Sequence, residues 1–372
     1  MTICIAGKNN IAVNILQYVS TNYEDYDLVF IHNRNETGQD SWQKSAKLYA
    51  ERHHIPIVTL SDVYNIKDLV FLSTEYDRII QTNRFKSDQL FNIHFSLLPK
   101  YKGFSTSILP ILQGEQESGV TLHRIRDGID TGEIIDQEVI PISFNMNSLQ
   151  LYERYLEEGT KLIIKNLPNL LSGNFRSRPQ ESMGSSYFSS KYIDYTDLHL
   201  NVKATAYQIY NQVRAFAFRP YQLPEYEGCK LIGSEISHLV STEKPGTILK
   251  EDKISFTIAS IDYDIVLYKD VLSDLNQAIR LGNIDDAVKL CTYRPIVNDK
   301  DERGWTPLNY AIQSRNIEMV RYLISLGADT YVYDNHGKTL MMYAEESGDN
   351  SILNLVKSKS MCKLSSDVTV DN

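Results

Sequence analysis

Cysteine is scarce: four in 372 residues, Cys4, Cys229, Cys291 and Cys362, with no two at a paired spacing. The scatter excludes a disulfide framework and a Cys-x-x-Cys metal site, and it fits a reducing cytoplasm. Basic residues are also short, 38 Lys and Arg against 47 Asp and Glu, for a net charge of −9. No Lys/Arg run is long enough to follow a phosphate backbone, so no nucleic-acid partner is expected. No apolar run approaches the roughly 20 residues that cross a bilayer, so no membrane partner is expected either. Met1 to Gly7 lacks a basic n-region and reads as a first strand, not as a signal peptide.

The chain is 42% hydrophobic and 23% charged, the composition of a globular protein. Its length calls for two or three domains of roughly 100–200 residues. Ile3-Cys4-Ile5-Ala6 ends in Gly7, and Ile11, Ala12, Ile15 and Leu16 then recur at helical spacing. Asp27–Ile31 reads as a second strand, Ser41–His53 as a helix, and Ile55–Val58 as a third strand. Leu69–Leu72, Arg78–Ile80 and Phe91–His94 are further apolar runs, and strands alternating with helices predict a mostly parallel sheet. Two β-rich runs, Val120–Ile125 and Glu133–Ile140, flank a turn. A helix then spans Leu149–Leu171, another Ala204–Phe218, and short β runs extend to Tyr268.

The last part repeats. Gly304-Trp305-Thr306-Pro307-Leu308-Asn309-Tyr310-Ala311 is answered 33 residues later by Gly337-Lys338-Thr339-Leu340-Met341-Met342-Tyr343-Ala344, and Ala278 precedes Ala311 by the same interval. That period with a Thr-Pro-Leu-x-x-Ala core is the signature of ankyrin repeats, about three of them between Leu272 and Val356. The expected domains are 1–182, a β-rich middle region 183–270 that supports dimerisation, repeats 271–357, and an unstructured tail 358–372.

Asn92-Ile93-His94-Phe95-Ser96-Leu97-Leu98-Pro99 and Gly128-Ile129-Asp130-Thr131-Gly132 hold the chemistry. A lone histidine at a strand end is by default structural. Asn92, however, lies two residues earlier and faces the same side, and Asp130 stands on a Gly-flanked turn where a carboxylate can orient an imidazole. An amide donor for an oxyanion beside an imidazole base is what acyl transfer to an amine requires, and no Ser-His-Asp order competes with it.

Asn92-x-His94-x-Ser96-Leu97-Leu98-Pro99, Lys100-Tyr101-Lys102-Gly103, Gly119-Val120-Thr121-x-His123 and Asp130-Thr131-Gly132 resemble the motifs of the 10-formyltetrahydrofolate-dependent formyltransferases, over roughly residues 1–200. The resemblance implies a Rossmann-like α/β domain that takes 10-formyltetrahydrofolate as co-substrate without a metal, and a catalytic triad of Asn92, His94 and Asp130. It places the folate against the backbone of Arg78, Ile79 and Ile80 and of Arg126, Asp127 and Gly128. Phe95, where many members have proline, resembles the branch that formylates amino-dideoxyhexoses linked to dTDP. This implies a cytoplasmic homodimer that makes formamido sugars for surface polysaccharide.

For the nucleotide sugar, Lys8 and Asn9 at the first helix and Tyr187, Lys191 and Tyr221 further on are the candidate contacts, although each tyrosine has a packing reading as well. Gly7-Lys8-Asn9-Asn10 is a βα turn where an anion is favoured. On the repeats, Trp305 with Arg303, Tyr310 and Arg315 is a candidate second dTDP-sugar site, an exposed indole stacking on a base while arginines meet phosphate. The alternative for that face is a protein partner. For the whole chain, the alternatives are methionyl-tRNA formylation and an ankyrin scaffold carrying a vestigial enzyme domain.

Overall fold

Ile3, Cys4, Ile5 and Ala6 are fully buried in the middle of β1 (Thr2–Gly7), as a strand covered on both faces must be. The computed structural model describes residues 1–367, and the chain divides into two units, Met1–Pro224 and Glu225 onward. In the first unit β1 leads to α1 (Asn9–Asn22), β2 (Asp27–His32), α2 (Ala46–Arg52), α3 (Leu60–Val63), β3 (Leu69–Thr74) and β4 (Leu90–His94). Next come β5 (Lys102–Gly103), α4 (Leu109–Leu112), β6 (Glu117–Arg124), β7 (Ile134–Pro141), α5 (Ser148–Ser172), β8 (Tyr187–Phe188) and α6 (Ala206–Phe216).

The main sheet has the order β2-β1-β3-β4-β6-β7. Strands β1 to β4 are parallel, and β6 runs antiparallel to both of its neighbours. The chain passes from β1 to β2 on one side and then to β3 on the other. The strand order therefore reverses between β1 and β3, and open α/β sheets take ligands at such a crevice. On one face Ile11, Ile15, Tyr155 and Ile163 of α1 and α5 close over Ile5, Leu72, Phe91 and Ile93. On the other, Val63 packs with Cys4, Phe71 and Leu90.

Two expected elements are shorter than the sequence pattern suggests. The helix expected over Ser41–His53 begins only after Ser45, whose side chain caps Leu48 N–H, while Trp42 and Gln43 turn into the crevice. Ile55–Val58 makes a single bridge, Phe30 to Ile57, because Pro56 has no N–H with which to extend a ladder. Arg78–Ile80 is a loop, not a strand.

The second unit starts with an antiparallel sheet of β9 (Glu225–Tyr226), β10 (Cys229–Ile236), β11 (Ile248–Glu251), β12 (Ser255–Ile258) and β13 (Ile265–Lys269). Three helix pairs follow: α7 (Leu272–Arg280) with α8 (Ile284–Leu290), α9 (Pro307–Gln313) with α10 (Ile317–Ser325), and α11 (Leu340–Ser347) with α12 (Asn350–Asp367). Thr306 and Thr339 start the inner helices as N-caps, which explains the repeated threonine. A stack this short buries little by itself, and Ile232 and Ile254 from the sheet region pack onto its core.

Residues 183–224 read from sequence as part of the β-rich region, yet they belong to the first unit, where β8 pairs with β5 and Ile193 enters the core. The segment 358–372, expected to be unstructured, begins inside α12, which meets no Gly or Pro before Asp367. Residues 368–372 lie outside the described residues.

Candidate active site

Strand β4 carries Asn92 and His94 to the carboxyl end of the sheet, and β6 sets Asn92 opposite His123 and His94 opposite Thr121. The Tyr101 carbonyl lies 2.8 Å from His94 Nε2. A carbonyl only accepts, so Nε2 carries a proton. The other ring nitrogen, Nδ1, is 3.4 Å from Oδ2 of Asp130. His123 Nδ1 donates to the Arg124 carbonyl at 2.8 Å, and in the neutral ring Nε2 accepts the Asn92 amide at 3.0 Å, whereas in the protonated ring it faces Asp130 as a donor. One N–H of Asn92 is thereby committed to His123, and the second remains for a ligand oxygen.

Asp130 lies between the two imidazoles, with Oδ1 3.6 Å from His123 Nε2. Burial alone would raise its carboxyl. The His94 and His123 rings and the Gly103 N–H, 2.9 Å from Oδ2, outweigh that and hold it well below the usual carboxylate range. Its backbone is left-handed, φ 54°. The turn is clamped by Gln180 Nε2, which donates to the carbonyls of Asp130 at 2.7 Å and Gly132 at 2.8 Å. Gly132 is obligatory, because a methyl there would stand 1.8 Å from the Arg124 carbonyl oxygen.

The loops of Arg78–Ile80 and Arg126–Gly128 converge, joined by Thr82 Oγ1 donating to Asp127 Oδ1 at 2.9 Å. Ile79 is 77% exposed there, leaving an apolar side chain and main-chain groups for a flat heterocycle.

Lys8, Asn9 and Tyr221 come together at the β1/β3 crevice, around Glu75. Asn10 N–H, one of the free donors of the first turn of α1, donates to Gln43 Oε1 at 3.1 Å. Glu75, left-handed at φ 61°, turns its carboxylate to Asn9 Nδ2 at 3.2 Å and to the Tyr152 hydroxyl at 2.8 Å. Burial pushes the Glu75 carboxyl up, opposed by the Lys8 ammonium and by those two hydrogen bonds. Beside it Trp42 meets Tyr152, Phe218 and Tyr221 at ring-centroid distances of 5.9, 5.7 and 5.5 Å. Tyr221 is 60% exposed and forms the open wall. Tyr187 lies elsewhere, on β8 beside the Lys102–Gly103 strand, and Lys191 stands on the exposed turn beyond it.

His123 was legible as part of a motif. No pattern marked Glu75, Tyr152, Gln43 or Trp42, which come from the turn after β3, from α5 and from the loop before α2.

On the repeats Trp305 is only 9% exposed, against the exposed indole expected. Tyr310 and Tyr343 meet it edge-on at 5.3 and 5.1 Å, its Nε1 donates to Tyr343 Oη at 3.1 Å, and the Arg303 guanidinium covers its face at 4.5 Å. Arg315 is exposed in the turn after α9.

A family model described as formyl transferase matches residues 8–167, and one for three ankyrin repeats matches residues 275–367. The methionyl-tRNA formyltransferase of Staphylococcus aureus (strain MW2) is 30% identical over 182 residues, 48% of this chain and 58% of that protein. The chain thus spans little more than half the length of the curated relatives it matches. Among solved structures, WlaRD, a sugar 3N-formyl transferase determined with dTDP and 5-N-formyl-THF, is 46% identical. The match has a TM-score of 0.68 and covers 72% of this chain and 97% of that one. An N-formyltransferase from Helicobacter canadensis, in complex with folinic acid and dTDP-3-aminofucose, is 45% identical with the same TM-score, covering 72% of this chain and 100% of that one.

Proposed function

The chain belongs to the formyl transferase family and carries ankyrin repeats, and from that premise we propose that it moves the formyl group of 10-formyltetrahydrofolate to the amine of a dTDP-linked amino-dideoxyhexose. The first acceptor to test is a dTDP-3-amino-3,6-dideoxyhexose of gluco or galacto configuration. The observation that carries the reading is the likeness, at 45–46% identity over nearly the whole of each relative, to two enzymes solved with dTDP or a dTDP-amino sugar. The convergence of Asn92, His94 and Asp130 supports it.

In this reading the neutral sugar amine attacks the formyl carbon and a C–N bond forms. The free N–H of Asn92 meets the growing oxyanion. His94, neutral as the amine attacks, takes the amine proton with Asp130 beside it, and the imidazolium so formed offsets the growing oxyanion. The bond from the formyl carbon to the folate N10 then breaks, and N10 leaves with the proton that His94 took. The 78–80 and 126–128 loops hold the folate. Lys8, Asn9 and Tyr221 at the crevice, Tyr187 on β8 and Lys191 beyond it meet the nucleotide sugar.

The reading extends to a cytoplasmic homodimer that supplies formamido sugars for O-antigen or similar surface polysaccharide. No described helix is long and apolar enough to cross a membrane. Trp305 and Arg303 serve a second, regulatory dTDP-sugar site on the repeats. The second reading, methionyl-tRNA formylation, has the 30% likeness behind it and the net charge of −9 against it. Mass spectrometry of products from a panel of dTDP-amino sugars, with charged initiator tRNA alongside, decides. Formylation of the tRNA and of no sugar would overturn the proposal.

A further inference from the structure

The sheet delivers His94, and a two-residue strand holds it in place. Segment 101–103 presents the Tyr101 carbonyl to His94 Nε2 at 2.8 Å and the Gly103 N–H to Asp130 Oδ2 at 2.9 Å. The same segment thus sets both members of the pair. Its other hydrogen-bonding groups face away, and residues 185–188 take them up. Ser186 Oγ accepts from Tyr101 N–H at 2.8 Å, the Ser186 carbonyl from Lys102 N–H at 3.0 Å, and the Phe188 carbonyl from Phe104 N–H at 3.0 Å. Lys102 Nζ reaches Ser185 Oγ at 3.1 Å, and the Phe188 ring stacks on Tyr101 at 5.7 Å and 16°.

Tyr101 adopts a left-handed backbone, φ 57°, which a bulky side chain adopts only when its surroundings impose it. Two groups impose it. The Tyr101 hydroxyl is anchored on Gln113 and Glu115 at 2.7 and 2.9 Å, and its N–H is anchored on Ser186. Gly103 cannot be anything larger, because a methyl there would stand 2.2 Å from the Phe188 carbonyl oxygen and 3.0 Å from Cε2 of Tyr187. The 185–188 segment therefore touches 101–103 closely enough to fix its position, while remaining mostly exposed on its outer side.

We propose that residues 185–188 form a strap that sets the His94–Asp130 geometry through segment 101–103, with Ser186 as a positioning residue. The inference rests on the formyl-transfer reading for its kinetic consequence only. Without the Ser186 hydroxyl, Tyr101 loses the partner of its N–H, its carbonyl drifts from Nε2, and the imidazole is no longer aimed.

The test uses the full chain with Ser186→Ala and Ser186→Thr. Ser186→Ala should lower kcat on the order of tenfold with the KM for both substrates changed less than about twofold, as a small misplacement at the reacting groups does. Ser186→Thr, which keeps the hydroxyl, should restore most of it. In the free enzyme, the hydrogen-bonded His94 ring N–H should give a slowly exchanging NMR signal in the wild type and in Ser186→Thr, and one exchanging at least several-fold faster in Ser186→Ala. Should Ser186→Ala not fold, Ser186→Cys, a poor acceptor of similar size, is read the same way. Unchanged kcat and unchanged N–H exchange would overturn the strap, as would an effect confined to KM. If the wild type formylates no dTDP-amino sugar, the functional reading fails and the NMR comparison still decides the strap.

Discussion

The amide nitrogen of Asn92 stands 3.0 Å from Nε2 of His123, directly across the β4–β6 ladder from it. The pairing fixes which end of the amide points inward. With its Nδ1 proton given to the Arg124 carbonyl, the neutral His123 ring accepts at Nε2, so the amide presents nitrogen to it and aims its second N–H elsewhere. Replacing His123 by Ala lets the amide rotate, and kcat should fall on the order of 10- to 100-fold with little change in KM. His123→Gln, able to accept through its carbonyl, should recover part of the loss. Steady-state kinetics on the three proteins checks this, and equal kcat values would show that the ring does not orient Asn92.

Removing the groups themselves should cost more. On the proposed mechanism, Asn92→Ala deletes the donor for the oxyanion, an effect of roughly 10²- to 10³-fold on kcat. His94→Asn should cost about 10²- to 10⁴-fold. Neither side chain lies at the β1/β3 crevice, so calorimetric binding of the dTDP-amino sugar should stay within about threefold of wild type. Near-normal turnover by His94→Asn would remove the catalytic assignment.

The sequence showed this centre because its members occur as local motifs: Asn92 and His94 two apart on one strand, Asp130 between glycines, His123 four residues after Gly119. The repeats were legible for the same reason, since a 33-residue interval needs no tertiary knowledge. What remained hidden was set by long-range placement. Glu75 reads as an ordinary residue after a strand, and only its left-handed turn brings it to Tyr152 on α5, 77 positions away. Trp42 sits in what looks like a helical run. Ser186 looks like linker, since the Ser- and Gly-rich composition around it says nothing of the pairing between β5 and β8. For Trp305 the motif gave the position and not the burial, because Tyr343 comes from the next repeat and Arg303 folds back from the turn.

Glu75 gives a prediction on stability. Its carboxyl is raised in the folded protein by burial, against an unfolded value of about 4.3. A raised acid binds its proton more tightly when folded, so stability falls as pH rises from the unfolded value through the folded one, and the full penalty is present above both. Glu75→Gln keeps an acceptor for Tyr152 without the charge. Its Tm should exceed that of the wild type at pH 8, and the difference should shrink as the pH falls to about 4. Scanning calorimetry across that range checks both ends. A Tm gap that widened toward acid would mean that Lys8 and Tyr152 outweigh the burial.

Trp305 yields a prediction that its burial makes sharper. A base can stack on this indole only if the Arg303 guanidinium leaves its place 4.5 Å above the ring. That movement releases the arginine from the Tyr310 hydroxyl and the Asp301 carboxylate, and a pyrophosphate is the group that would compensate it. Binding at the repeats should therefore depend on both side chains. Calorimetric titration of the wild type with the dTDP-amino sugar should resolve a second equivalent that Arg303→Gln loses while the first is unaffected. Trp305→Ala should lose it too. Truncating so buried a ring costs about 3–5 kcal/mol, so Arg303→Gln, which leaves the indole and its Tyr343 bond in place, is the decisive variant. The same stoichiometry in wild type and Arg303→Gln would mean that the guanidinium lid over Trp305 is a packing contact between repeats and that no nucleotide enters there.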